Sequence, residues 1–232
     1  MVKEALSLHV RTNAAIKVCL GVMVIFCATE AGQAGGWESR EFAISIDGRS
    51  AGKFRLDIRS QADGSIDVQA HANVLLNYLV YRYTYKFDGI EQWRNGRLMG
   101  LKSSSNDNGK KFQTEALAQD SELRVVVNGI GSTYRADVWT TTYWKLPDPR
   151  YRNAGVPLLD ADTGKYLDGS LKFVKRESVI VAGVAQPCDH YRVTAPGIDA
   201  DVWYDANERL VRQTTLEDGH RTVLLLTTLQ RR

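Results

Sequence analysis

Beyond residue 35, apolar and polar positions alternate with a period of two over run after run, and the runs are separated by Gly-containing turn clusters. Such alternation puts one set of side chains on each face of a half-buried strand, so the pattern predicts β structure nearly throughout, while helical spacing is scarce. Phe42, Ile44 and Ile46 lead into Asp47-Gly48, and Phe54, Leu56 and Ile58 return along one face, which predicts a hairpin. Asp63-Gly64 opens a strand over 66–70. The stretch 74–87 carries the densest aromatic pattern, with Tyr81, Tyr83, Tyr85 and Phe87 alternating with Arg82, Thr84 and Lys86. It reads as one strand with an aromatic face, ending at Asp88-Gly89. Asn95-Gly96 is the strongest short hairpin signal in the chain, and Asn108-Gly109 and Asn128-Gly129 close further strands. Alternation resumes over 171–176, 178–181, 188–195, 198–204, 209–215 and 222–229.

The fold class predicted is all-β: one antiparallel meander of roughly eleven to thirteen strands, which must curl into a half or closed barrel because so many strands do not stay flat. Between 132 and 165 the alternation fails. Trp139, Tyr143 and Trp144 cluster there, Pro147 and Pro149 flank a charged turn, and Leu158-Leu159-Asp160-Ala161-Asp162-Thr163-Gly164 follows. This segment is expected to be an excursion with a short helix near 136–144 or 157–160, and such excursions from a regular scaffold are where function concentrates. No linker or fixed-period repeat divides 35–232, which is taken as a single domain.

The first 34 residues read differently. Lys3, Arg11 and Lys17 precede an uninterrupted apolar run of 11 residues over 18–28, and Gly32 and Ala34 occupy small-residue positions before a cleavage point after Ala34. That is the pattern of a secretory signal peptide, too short for a spanning helix of roughly 20 residues. Cys19 and Cys27 lack a preceding small residue, which argues against a lipoprotein. The expected location is therefore periplasmic or secreted, with no transmembrane span after cleavage. Cleavage would leave Cys188 as the sole cysteine, so the domain would stand on packing alone.

Composition narrows the chemistry. With 44% hydrophobic and 25% charged residues the chain is ordinary globular material. The 30 basic and 27 acidic side chains are interspersed, leaving no basic stripe for a nucleic acid. Cys188 and His190 share a strand face without making a catalytic pair, since such pairs are normally spatial neighbours from different segments. The hydrolase elbow Gly-x-Ser-x-Gly and the nucleotide-binding glycine motifs are absent. The histidines at 71, 190 and 220 lack metal-site spacing, and Asp160–Gly164 departs from a calcium loop after its first residues, reading as a turn. No catalytic residue, metal or cofactor is assigned.

The aromatic residues are the candidate site. Tyr81, Tyr83, Tyr85, Trp93, Trp139, Tyr143, Trp144 and Trp203 could line the concave side of a curled sheet as a slot for an apolar or amphiphilic ligand such as a lipid, in which case some rings stay partly exposed. Alternatively they are simply core. Two other readings stand beside the binding one. The first is a hydrolase of envelope lipid or glycan using carboxylates near 139–162, and the second is an interaction module that pairs a sheet edge with another envelope protein.

Several motifs in order along the chain resemble a known family: residues 91–98 (EQWRNGRL), 106–110 (NDNGK), Trp144, 158–164 (LLDADTG) and 201–205 (DVWYD) with Leu210-Val211. They are similar to the exported bacterial family catalogued as domain of unknown function 6134. Where that family often has Gly after its Trp-Tyr-Asp turn, Glu208 stands here. The resemblance implies an envelope location and an open-barrel shape similar to that of lipoprotein carriers of the envelope, and it supplies no activity or catalytic residue.

Overall fold

Pairing between strands gives each alternating run its partner, and the computed structural model describes residues 35–78, 81–217 and 219–232, without the side chains of 78 and 81. The expected signal peptide at 1–34 lies outside the described residues. Eight strands form the first half of the chain: β1 (Gly36–Ile46), β2 (Arg49–Ser60), β3 (Ser65–Tyr78), β4 (Tyr81–Arg94), β5 (Arg97–Asp107), β6 (Lys110–Gln119), β7 (Glu122–Val127) and β8 (Ile130–Arg135). The second half holds β9 (Trp139–Thr140), β10 (Ala154–Leu159), β11 (Tyr166–Val181), β12 (Val184–Ala195), β13 (Ile198–Tyr204), β14 (Leu210–Glu217) and β15 (His220–Arg231). All fifteen belong to one sheet in the order β8-β7-β6-β5-β4-β3-β2-β1-β15-β14-β13-β12-β11-β10-β9. Two meandering wings thus meet where β1 pairs antiparallel with β15, from Glu38 opposite Arg231 to Ile46 opposite Thr222.

Hydrogen bonds do not close the sheet, and β8 and β9 are its edges. The wings approach through side chains instead, with the Tyr134 ring on β8 stacked on Tyr166 at the start of β11, centroids 4.7 Å apart. Bulges at Glu41/Phe42 and Ile44/Ser45 in β1, and at Gln92/Trp93, Phe173/Lys175 and Trp203/Tyr204, add local twist and let a long sheet curl. The hairpins turn where expected: Asn95 and Gly96 have φ of 52° and 75°, the left-handed pair that suits a two-residue turn between twisted strands.

Three expectations change. The stretch 74–87 is two arms of a hairpin, since Tyr78 pairs with Tyr81, and β4 runs straight through Asp88-Gly89. Between Tyr78 and Tyr81 the sequence offers no Asn-Gly or Asp-Gly pair to announce the hairpin. Gly89 is there for packing, because a Cβ would lie 2.7 Å from the Phe87 ring. Second, no helix forms at 136–144 or 157–160. Trp139–Thr140 and Ala154–Leu159 are short strands paired in parallel, the latter also with β11, and a 3-10 turn at Pro149–Tyr151 is the helical element among the described residues. β-Branched Thr140 and Val156 suit extended backbone, Thr141 and Thr142 form a turn after β9, and Pro147 and Pro149 interrupt helical hydrogen bonding. Third, these two short strands together with β8 raise the count to fifteen, while the split of 74–87 only extends β3 and β4.

Because consecutive strands run antiparallel, the turns divide between two ends of the sheet. The reversals at 47–48, 108–109, 128–129 and 196–197 lie at one end together with the β10–β11 turn at 160–165, and both chain ends of the domain lie at the other. Among the described residues no helix is long and apolar enough to cross a membrane.

Candidate functional site

Residues 136–165 do not lie outside the sheet; they cross its concave face and are tied to both wings. On the β1 side the Arg40 guanidinium, 3% exposed, donates to the Trp144 carbonyl and to Glu38 at 2.6 Å. The Trp144 ring meets the Trp93 edge at 5.9 Å, and the Tyr204 hydroxyl donates to the Tyr143 carbonyl at 3.0 Å. Farther out on the same wing as Arg40 and Trp93, the Ser103 hydroxyl on β5 donates to the Ala161 carbonyl at 2.6 Å, while Tyr204 on β13 provides the tie to the other wing. Gly164 has φ +69°, and a Cβ there would overlap the Val127 methyl and sit 2.9 Å from Thr114 Cγ2, so the turn packs directly on β6 and β7.

Glu91 is the central fastening. Its carboxylate, 1% exposed, accepts from Trp93 Nε1 at 2.8 Å, Thr142 Oγ1 at 2.8 Å and Thr140 Oγ1 at 3.1 Å. Burial pushes its carboxyl up to about 7, and the three hydrogen bonds offset only part of that penalty.

Between the crossing segment and the sheet, at the end that holds the 160–165 turn, lies a cavity of about 350 Å³. The sheet supplies an apolar wall that includes Ile44, Ile46, Phe54, Val74 and Leu224, and the crossing segment supplies Thr141, Thr142, Tyr143, Asp160 and Asp162. Tyr85 joins the two, its hydroxyl donating to Asp162 Oδ2 at 3.1 Å. Burial, and then the Asp162 charge, raise the Tyr85 phenol far above its usual range, so it stays a donor. Three oxygens at this wall are buried without a hydrogen-bond partner: Asp162 Oδ1, Asp107 Oδ1 and the Tyr143 hydroxyl. The Asp162 carboxyl is held above its ordinary value, first by burial and further by the charges of Asp160 and Asp107.

The aromatic candidates separate into three groups. Tyr83 and Tyr85, half-buried, and Tyr143, buried, line the cavity, whereas the Tyr81 side chain lies outside the described residues. Trp93, Trp139 and Trp144 are buried packing: the first and last touch each other, and Trp139 packs edge-on to Tyr143 at 4.8 Å while its indole N–H donates to the Lys145 carbonyl. Trp203 belongs to the opposite face of β13 from Val202 and Tyr204. There it stacks on His190 at 4.2 Å, lies 4.7 Å from the Arg212 guanidinium and donates to Glu177 at 2.9 Å.

The other sequence candidates have structural duties. Burial holds the Cys188 thiol up to about 11, and His190 bonds Asp201 at 2.7 Å, so the two form no nucleophilic pair. Asp160 accepts from Thr141 Oγ1, Thr163 Oγ1 and the Asp162 amide, the arrangement of a turn and not of a free acid or base. Among the described residues no group of three or more His, Cys, Asp or Glu could hold a metal ion. Glu208 has φ +57°, the conformation that favours glycine. Its carboxylate bonds Arg152 at 2.6 Å and its carbonyl accepts from the Leu146 amide, so this turn docks the crossing segment. Sequence reasoning singled out neither Glu91 nor Asp107, the latter standing in the polar turn 106–109; nothing local distinguishes them from surface residues.

An open, curled antiparallel meander with a crossing segment and an end cavity defines a β-barrel-like class of domain. Residues 42–227 match the family described as domain of unknown function DUF6134, and the chain belongs to that family. Among solved structures it is similar to a β-barrel-like protein of domain of unknown function DUF1849 from Brucella abortus, with 10% identity, a TM-score of 0.64 and coverage of 84% of this chain and 98% of that one. That likeness is one of fold. No curated protein matches the chain.

Proposed function

We propose that this protein is exported to the bacterial envelope and there binds an apolar or amphiphilic small molecule, without catalysing its conversion. The cavity carries this reading: about 350 Å³ lies between an apolar sheet wall and a polar crossing segment, within the size range of small-molecule sites. The signal-peptide pattern at 1–34 supports export, and the structural duties of Asp160, Cys188 and His190 leave the usual catalytic groups occupied. The edge-pairing alternative has the unpaired β8 edge in its favour, with Ile130 76% exposed, but that strand is only six residues long and Tyr134 is already stacked across to β11.

Native mass spectrometry of protein expressed from the full chain and purified without delipidation tests the binding. A retained small molecule, released on denaturation, is the expected result. A bare polypeptide mass, unchanged after incubation with a lipid extract, overturns the reading. Osmotic-shock fractionation tests export, which fails if the uncleaved chain stays in the cytoplasm.

A further inference from the structure

The cavity wall is unusual in its charge. Asp107, Asp160, Asp162, Asp199 and Glu217 all line it, and among the described residues no Lys, Arg or His does, although the chain as a whole has a formal net charge of +3. Some of these acids are already engaged. Asp160 holds its own turn, and Asp199 bonds Arg192 at 2.6 Å. Asp162 and Asp107 are different: each keeps one oxygen buried and without a hydrogen-bond partner. Buried carboxylate oxygens left in this state carry a desolvation penalty that a ligand can remove.

Tyr143 is an independent sign of a ligand. Its side chain is 2% exposed, its hydroxyl has no partner, and it forms part of the same wall. It lines the cavity together with Asp160 and Asp162, and burial, and secondarily the Asp160 charge, raise its phenol so that the hydroxyl keeps its proton. The residue is also held at φ +49°, a conformation costly for a bulky side chain, and Tyr204 holds its carbonyl there. Tyr83 and Tyr85 add aromatic rings to the same wall, and aromatic residues together with carboxylates favour a cation.

Building on the binding reading above, we infer that the occupant is a cationic amphiphile. Its short apolar body would lie against Ile44, Ile46, Phe54 and Leu224, and its ammonium group would sit at Asp162 and Asp107 beside the Tyr143 hydroxyl. An anionic amphiphile such as a fatty acid would bring a carboxylate to a wall of carboxylates and is excluded by charge.

Calorimetric titration of the purified protein with four probes of equal chain length tests this: octylammonium, octylphosphocholine, octanol and octanoate. Octylammonium is expected to bind at least about tenfold more tightly than octanol or octanoate. Octylphosphocholine separates a free amine from a lipid headgroup as the source of the ammonium; whichever of the two binds more tightly identifies that source. Asp162→Asn combined with Asp107→Asn is expected to erase the tenfold advantage of octylammonium over octanol, each measured on the same variant. If octanoate or octanol binds as tightly as octylammonium, or the advantage survives the double substitution, the inference fails and the binding reading stands. If none of the four binds, both fail.

Discussion

Substituting Glu91→Gln removes one charge from the middle of the molecule while keeping the shape of the side chain and one acceptor oxygen for Trp93, Thr140 and Thr142. In the folded protein burial holds the Glu91 carboxyl up to about 7, against 4.5 for an ordinary glutamate. Between those values the folded state keeps a proton that the unfolded chain has lost. The stability due to this group is therefore complete below about pH 4.5 and falls as pH rises through about 7, after which it levels off. The difference is worth roughly 3 kcal/mol. The glutamine does not titrate, so the stability of the variant minus that of the wild type should rise by about 3 kcal/mol between about pH 4.5 and 8. Urea unfolding followed by tryptophan fluorescence measures it, with Trp93 and Trp144 as reporters close to the substitution. Taking the difference between the two proteins cancels the carboxylates shifted elsewhere, including Asp162 raised by burial and Asp47 lowered by its His220 hydrogen bond. A difference that stays constant with pH to within about 0.5 kcal/mol would refute the reasoning, because it would mean that Glu91 is not desolvated in the folded protein.

Gly164→Ala should destabilise the protein by on the order of 2 kcal/mol or more, since the new methyl meets Val127 and Thr114 at a left-handed backbone position; thermal melting measures the loss. Trp144→Ala removes a ring that is 7% exposed and packed on Trp93, at a cost of about 3–5 kcal/mol in equilibrium unfolding. Cys188, 1% exposed with its thiol held up to about 11, should react with an aromatic disulfide reagent at neutral pH only as fast as the domain opens, and rapid labelling of the native protein would contradict its placement.

The strands and most of their turns were legible because they rest on local chemistry. Alternation sets which residues share a face, and Asn-Gly or Asp-Gly pairs accept the left-handed backbone that a tight hairpin requires. The same logic fails for Tyr78 and Tyr81, which pair across antiparallel strands with no Asn-Gly or Asp-Gly signal between them, and for Gly89, whose glycine answers to the Phe87 ring instead of to a turn. It also fails for Trp203, because adjacent Trp203 and Tyr204 must face opposite sides and the local sequence does not say which side is concave.

By itself, the sequence determined the all-β class, the meandering order, the family motifs and the break in pattern between 132 and 165. Only the tertiary structure decided that this segment crosses the concave face and leaves a cavity beside it. The contacts responsible join residues far apart in the chain: Thr142 to Glu91 across 51 positions, Tyr85 to Asp162 across 77 and Arg40 to Trp144 across 104. Each depends on how far two wings of one sheet curl toward each other, which accumulates from twist and bulges over many strands. A carboxylate on a strand face looks the same in sequence whether that curl leaves it in water, as with Asp88, or encloses it, as with Glu91.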